Sequence, residues 1–299
     1  MKFDEIFNQP NHKMIALSIS CAADETVLEP VLRLVDTYQI SIHLVDDETR
    51  LNRLLGVMDE KYLDHPDIYI HGAQSDVEAA DKAAALVADG TCDILMKGAV
   101  STSVILKAVL NKAHGLVYNG FLSHVALFDL PNYHKGIILT DAAMNIAPGI
   151  KEKISIIDNA VDFAHSLDIQ RPKVALLSAV EKINPKIVST VESIDVIQSI
   201  YNGNMREFIV DGPLQYDLAI SKEAAAAKNI DSEVAGDADI LVAPQIEAGN
   251  ILYKSLVYSA GARVAAMVVG AKVPIVLTSR ADSAEDKYNS ICLAMKSLS

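Results

Sequence analysis

Short apolar runs alternate with helix-length amphipathic stretches from residue 14 almost to the end of this 299-residue chain, and that alternation leaves few folds open. Strand-like segments stand at 14–20, 40–45, 68–71, 93–97, 122–128, 136–140, 173–178, 207–210, 239–243, 265–269 and 274–278. Between most of them lie helical patterns, at 25–39, 48–58, 75–88, 102–113, 150–167, 186–200, 218–227 and 249–259. Strands separated by helices of this length form crossover units and a largely parallel sheet. Most of the strands are continuous apolar runs rather than alternating ones, as a sheet covered on both faces requires. The expected class is therefore α/β, with α/β/α layering around a largely parallel mixed sheet.

One internal echo supports two related halves. DILMKGAVSTSVILKAV begins at Asp93 and DILVAPQIEAGNILYKSLV at Asp239, and each places a second Ile-Leu twelve residues on, at Ile105 and Ile251. The match holds its position within a strand–loop–helix, which favours a pseudo-repeat over coincidence. The crossing between halves falls at DAAMNIAPGIKEK, residues 141–153, where Pro148 and Gly149 precede a long helical pattern.

Composition removes several classes of function. A formal net charge of −13 disfavours nucleic acid and anionic lipid, both of which select basic surfaces. No apolar run approaches the roughly 20 residues of a membrane helix, and the opening MKFDEIFNQPNHK has no apolar signal core, so a cytoplasmic location is expected. Cys21, Cys92 and Cys292 form no CxxC pair, which fits buried thiols in a reducing compartment. The phosphate-cradling, dinucleotide, nucleophile-elbow and zinc-helix motifs are all missing, and no His/Cys cluster has metal-ligand spacing.

What remains is a set of polar residues at strand C-termini, the edge where ligands of α/β proteins bind. The last strand turns polar at Ser279 and Arg280. A helix follows, with Asp282/Glu285 and Ser283/Asp286 at capping-box spacing. Ala284, Tyr288, Ile291, Met295 and Leu298 make one narrow apolar stripe that leaves Asp286 on the opposite, solvated face. After the strand at 93–97, Lys97 and Gly98 lead to the hydroxyls of Ser101, Thr102 and Ser103 at a helix start, a pattern suited to phosphate, though one hydroxyl is accounted for by plain capping. Ser123 and His124 sit in an apolar run, Asp141 and Asn145 follow the strand at 136–140, and Asn250 opens the second echo's helix; each is singly a weak signal, since such a histidine is more often a core or cap residue and such an Asp or Asn a cap or turn residue.

Taken together, TSRADSAEDK, TDAAMNIAP, KGAVSTS, LSHVALF and GNILYKSL resemble the phosphate acetyl/butyryl transferase family, in the family's order and over nearly the whole chain. The wording of LSHVALF and TDAAMNIAP is closer to the butyryl branch. The Ala-Asp-Ser after Arg280 departs from the Gly-Cys-Ser usual in the acetyl branch. The resemblance implies a two-domain protein similar to the isocitrate dehydrogenase-like fold. A first domain of residues 1–141 plus 279–299 would carry both termini, a second would span 142–278, and the active site would lie in the cleft between them. It further implies interconversion of a short or branched acyl-CoA plus phosphate with acyl phosphate plus CoA, with no metal and no cofactor beyond coenzyme A as substrate. The assembly would be a homodimer or larger homo-oligomer. Ser279 and Arg280 match the family's Ser-Arg pair, and Asp286 its aspartate proposed to deprotonate the CoA thiol. Lys97, Ser101, Thr102, Ser103, Ser123, His124, Asp141, Asn145 and Asn250 are the expected substrate-binding residues. The competing readings are phosphate acetyltransferase, a non-catalytic CoA- or acyl-phosphate-binding protein, and a decarboxylating dehydrogenase, the last disfavoured for want of a metal-binding carboxylate cluster.

Overall fold

In the computed structural model, which describes residues 3, 14–117, 120–202, 207–278 and 282–298, the alternation becomes a series of strands and crossover helices. In chain order they are β1 (Ile15–Ser20), α1 (Glu25–Thr37), β2 (Ile40–Asp46), α2 (Glu48–Met58), β3 (Ile68–Gly72), α3 (Asp76–Ala88), β4 (Ile94–Lys97) and α4 (Thr102–Val109). An antiparallel pair, β5 (Ser123–Asp129) and β6 (Ile137–Thr140), precedes α5 (Ile150–Ser166), β7 (Lys173–Leu177), α6 (Val188–Tyr201) and β8 (Ile209–Leu214). Then come α7 (Tyr216–Ile220), α8 (Lys222–Ala227), β9 (Ile240–Val242), α9 (Ile246–Tyr258), β10 (Arg263–Val269), β11 (Ile275–Val276) and α10 (Ala284–Lys296). The single helix expected at 218–227 is broken in two, because Ser221 stops α7 and its hydroxyl accepts from Ala224 N–H to start α8.

The chain divides into two compact units. A terminal unit takes residues 9–120 and 265–299, and a central unit takes 1–8 and 121–264. The boundaries differ from the sequence expectation, which gave residues 1–8 and 121–141 to the domain carrying both termini and 265–278 to the other. Strands β5 and β6 side with the central unit because β6 pairs in parallel with β9, Ile138 opposite Ile240. Phe3 groups there too, buried, with the Arg263 guanidinium 5.2 Å above its ring.

In the terminal unit the strand order is β3-β2-β1-β4-β11-β10, parallel except for the β10–β11 pair. Leu17 and Ile19 on β1 are fully buried between β2 and β4, each worth about 1.5–3 kcal/mol of apolar burial. The alanines of α3 (Ala79, Ala80, Ala83, Ala84) are buried as well, and their small size lets the Ser18 hydroxyl donate to the Ala83 carbonyl at 3.1 Å. In the central unit the order is β5-β6-β9-β7-β8, parallel beyond the β5–β6 pair.

The sequence echo is structural. Asp93 and Asp239 each stand just before a strand and pin its neighbour. Asp93 Oδ2 accepts from Ala16 N–H at 2.9 Å while its own N–H donates to Ala16 O at 2.8 Å. Asp239 does the same with Lys173, at 2.8 Å in both directions.

Helix α10 departs from the narrow stripe read in the sequence. Every residue from Lys287 to Met295 is buried, polar Asn289 and Ser290 included. The cause is packing on more than one side. Arg33 of α1 lies 3.9 Å over the Tyr288 ring and bonds Glu285 at 2.6 Å, while Ser290 Oγ accepts from Ala266 N–H of β10 at 3.0 Å.

Candidate active site

At the C-terminal edge of the terminal unit's parallel strands, the loops after β1 and β4 lie against each other. Gly98 and Ala99 donate their N–H groups to the Ser20 and Cys21 carbonyls, both at 2.8 Å. A Cβ at position 98 would run into those two carbonyl oxygens, so the close approach requires glycine. Lys97, the last residue of β4, is buried and donates from Nζ to the Gly98 and Val100 carbonyls at 3.2 Å each.

This packing opens a cleft of about 360 Å³. Its polar lining is Asp24 and Thr26 from the start of α1, Arg50 from α2, Lys97, Thr278 and Lys287 from α10. Three cations thus face one carboxylate on a chain whose formal net charge is −13. Asp24 caps α1, accepting from Thr26 N–H at 2.9 Å and Thr26 O–H at 2.7 Å. The Thr26 hydroxyl bond, aided by the Lys287 charge, outweighs burial and holds the Asp24 carboxyl below the usual range. Lys287 Nζ donates to the Thr26 carbonyl at 3.1 Å and to its hydroxyl at 3.2 Å.

Ser279 and Arg280 lie outside the described residues. Thr278, joined to Ser279 by one peptide bond, lines the cleft. Asp286 does not line it. Its carboxylate closes a capping box with Ser283, accepting from the Ser283 hydroxyl at 2.7 Å and N–H at 3.3 Å while its own N–H donates to Ser283 Oγ at 3.1 Å. Ser101, Thr102 and Ser103 are exposed at the start of α4 and outside the cleft lining. Ser101 makes no side-chain cap, and its hydroxyl lies 3.0 Å from that of Ser103.

The remaining expected site residues gather in the central unit, around the loop after β6. Asp141 organises that loop with both oxygens. Oδ1 accepts from the N–H groups of Ala143 (2.8 Å) and Met144 (2.9 Å), and Oδ2 from Asn145 Nδ2 (2.7 Å) and His124 N–H (3.1 Å). Asn145 Nδ2 also reaches the Leu122 carbonyl at 3.0 Å, and Asn250 Nδ2 donates to the Ala142 carbonyl at 3.2 Å. Gly249 lies so close to the Asp141 carbonyl that a Cβ would collide with it. Ser123 Oγ accepts from Asn159 Nδ2 at 3.0 Å. His124 is buried with its ring 6.0 Å from that of Tyr253, and its Nδ1 has no hydrogen-bond partner among the described residues. Burial lowers its pKa against the pull of Asp141, so the ring is neutral near pH 7.

Sequence reasoning missed Asp24, Thr26, Arg50 and Lys287 in the cleft and Asn159 beside Ser123. Arg50 and Lys287 occur within helical stretches where a charge normally marks a solvated face; only the local DETV and DDETR capping patterns hinted that two helices begin there. Among the described residues, no group of three or more His, Cys, Asp and Glu side chains has the geometry to hold a metal ion. No helix among them is long and apolar enough to cross a membrane.

Residues 67–295 match the family described as "Phosphate acetyl/butaryl transferase". A Bacillus subtilis (strain 168) protein named "Probable phosphate butyryltransferase" is 46% identical over 296 residues, 99% of this chain and 97% of the relative. A Clostridium acetobutylicum phosphate butyryltransferase is 41% identical over 293 residues, 98% of this chain and 96% of the relative. The crystal structure of a branched-chain phosphotransacylase from Enterococcus faecalis V583 superposes with a TM-score of 0.86 at 38% identity, covering 95% of this chain and 99% of that one.

Proposed function

The chain belongs to the phosphate acetyl/butyryl transferase family, and from that premise we propose that it is the butyryl or branched-acyl member of the pair. The enzyme is an acyltransferase that interconverts acyl-CoA plus phosphate with acyl phosphate plus CoA. The observation that carries the acyl preference is the full-length similarity to two proteins named for butyryl transfer and to a structure named for branched-chain transfer.

In the proposed mechanism the CoA thiol attacks the acyl phosphate carbonyl directly. Asp286 accepts the thiol proton, and the new S–C bond forms as the oxyanion develops. Its collapse breaks the C–O bond to phosphorus and releases phosphate. Arg280 suits both the oxyanion and the leaving phosphate because a guanidinium is planar, permanently charged and able to bond two oxygens at once. Ser279 offers a hydroxyl beside it. Lys97 and the hydroxyls of Ser101, Thr102 and Ser103 are assigned to phosphate or to the CoA pyrophosphate, and coenzyme A is a substrate rather than a resident cofactor. We place the protein in the cytoplasm and expect a homodimer or larger homo-oligomer, an assembly that analytical ultracentrifugation of the purified chain tests.

The acyl assignment is tested by kcat/KM for acetyl-, propionyl-, butyryl- and isobutyryl-CoA with phosphate in EDTA. Each buried methylene is worth about 0.8 kcal/mol, roughly fourfold, so the constant rises from acetyl to butyryl. A maximum at acetyl moves the protein to the phosphate acetyltransferase reading, and no turnover with any of the four leaves only a binding role.

A further inference from the structure

The cleft of the terminal unit contains a buried cation with no hydrogen-bonded carboxylate among the described residues. Lys287 is only 3% exposed. Its ammonium has three N–H donors, and two go to the carbonyl and hydroxyl oxygens of Thr26, both neutral. Among the described residues no carboxylate forms an ion pair with it. Asp24 acts on it through space, the Lys287 charge helping to lower that carboxyl's pKa, and a buried cation held directly by neutral oxygens alone is suited to a bound anion as its contact partner. Arg50 lines the same cleft from α2, and its guanidinium has no partner among the described residues. Lys97 stands behind them on β4, and the Thr26 and Thr278 side chains add hydroxyls to the lining. The one carboxylate, Asp24, turns an oxygen inward onto the N–H and O–H of Thr26.

Resting on the acyl-CoA/phosphate reading above, we propose that this cleft binds a terminal phosphate dianion, with Lys287 and Arg50 as its principal ligands. A terminal phosphate group presents three oxygens and close to two negative charges. The third N–H of Lys287 supplies a buried point charge, and the Arg50 fork supplies paired donors at the open side. The cleft, about 360 Å³, holds far more than one tetrahedral anion, so whatever the phosphate is attached to has room beside it. Two of the reaction's components carry this chemistry: inorganic phosphate, with the acyl phosphate made from it, and the 3′-phosphate of CoA.

The test is calorimetric titration of the full chain with inorganic phosphate, with CoA and with 3′-dephospho-CoA. The variants are Arg50→Gln, Lys287→Gln and Arg53→Gln, the last an exposed arginine on the same helix outside the cleft lining. Losing one charge-assisted bond weakens binding by about tenfold or more. Arg50→Gln and Lys287→Gln therefore lose that much affinity for phosphate, or, where the occupant is the 3′-phosphate, for CoA and not for 3′-dephospho-CoA; Arg53→Gln binds as wild type does. Arg50 is exposed, so its variant decides the matter even if the buried Lys287 variant fails to fold. An Arg50→Gln protein of unchanged melting temperature that binds phosphate and CoA as tightly as wild type overturns the proposal. So does a wild-type chain that binds neither. Wild-type acyl transfer is measured alongside. Turnover with unaltered Arg50→Gln binding sinks this site and leaves the reaction standing, whereas lost binding without any wild-type turnover does the reverse.

Discussion

Replacing Asp286 by asparagine separates two duties that cannot rest on one carboxylate without conflict. In the structure that carboxylate is a cap: it accepts the Ser283 hydroxyl at 2.7 Å and the Ser283 N–H at 3.3 Å. An amide keeps one acceptor oxygen, so Asp286→Asn removes the charge and weakens the box without abolishing it. A negative charge in a helix first turn is worth about 0.3–1 kcal/mol, and the weakened hydrogen bond adds a similar amount, for a total of roughly 1 kcal/mol. For a chain of this size that lowers the melting temperature by about 1–2 °C. If the same carboxylate takes the CoA thiol proton, its loss costs about 10²–10⁴ in kcat. Ser283→Ala is the complement, removing the cap at about 0.5–2 kcal/mol while leaving the carboxylate in place. The assay is kcat for CoA attack on acyl phosphate, with melting temperature and CoA affinity measured on each variant. Expected are a large kcat loss with a small melting shift for Asp286→Asn, and the opposite pattern for Ser283→Ala. Glu285 is no neutral control, since it bonds Arg33 at 2.6 Å. Should Asp286→Asn turn over within about threefold of wild type, the base is elsewhere and the proposed mechanism is wrong.

Three further outcomes follow from packing and burial. Gly98→Ala forces a Cβ onto the Ser20 and Cys21 backbone, so it lowers stability by about 1–3 kcal/mol and disturbs the cleft; a variant melting like wild type refutes the close approach. Desolvation pushes the Cys21, Cys92 and Cys292 thiols up to about 12. Dithionitrobenzoate at pH 8 should therefore label none of the three until denaturant is added. Burial also holds His43 and His71, whose Nδ1 and Nε2 lie 3.0 Å apart, below the usual imidazole pKa. Around pH 6.5 the unfolded chain then binds protons the native state refuses, so stability falls as pH drops from 7.5 to 5.5; melting curves of His43→Asn should show a shallower slope.

The elements were legible because apolar periodicity reports two-sided burial directly. The strands at 15–20 and 123–129 are continuous apolar runs broken mainly by serine and histidine, and both proved fully buried or nearly so. The Asp-Ile-Leu echo was legible for a more specific reason: each aspartate performs the same backbone-pinning bond at the foot of a strand. The environment of a helix face was not legible. The sequence of α10 reads as one apolar stripe with a wet opposite side, yet α1 and β10 enclose it from Lys287 to Met295. The polar cluster in the central unit was found, but its wiring was not. Asp141 accepts from the backbone of its own loop and of β5 and from Asn145, whose amide also donates to the Leu122 carbonyl, so both residues anchor the loop in a way that spacing alone did not reveal.

The cleft cations escaped for a reason that bears on how the substrates are recognised. Arg50, Lys97 and Lys287 are spread across most of the chain, so no local motif can contain them. They also oppose the sign of the whole. At a net charge of −13 the chain's general field repels phosphate and CoA alike. At physiological salt that field decays over about 8 Å, whereas buried or partly buried charges are screened much less. Attraction must then come from a few cations at contact range rather than from the surface at large. Lys287, held in place by the Thr26 carbonyl and hydroxyl oxygens, and Arg50 on the same cleft lining meet that requirement. Raising the ionic strength should consequently weaken the repulsion of approach more than the grip of the cleft, and kcat/KM for CoA should rise with moderate salt. A steep fall with salt would mean that cations on the open surface, not those of the cleft, do the recognising.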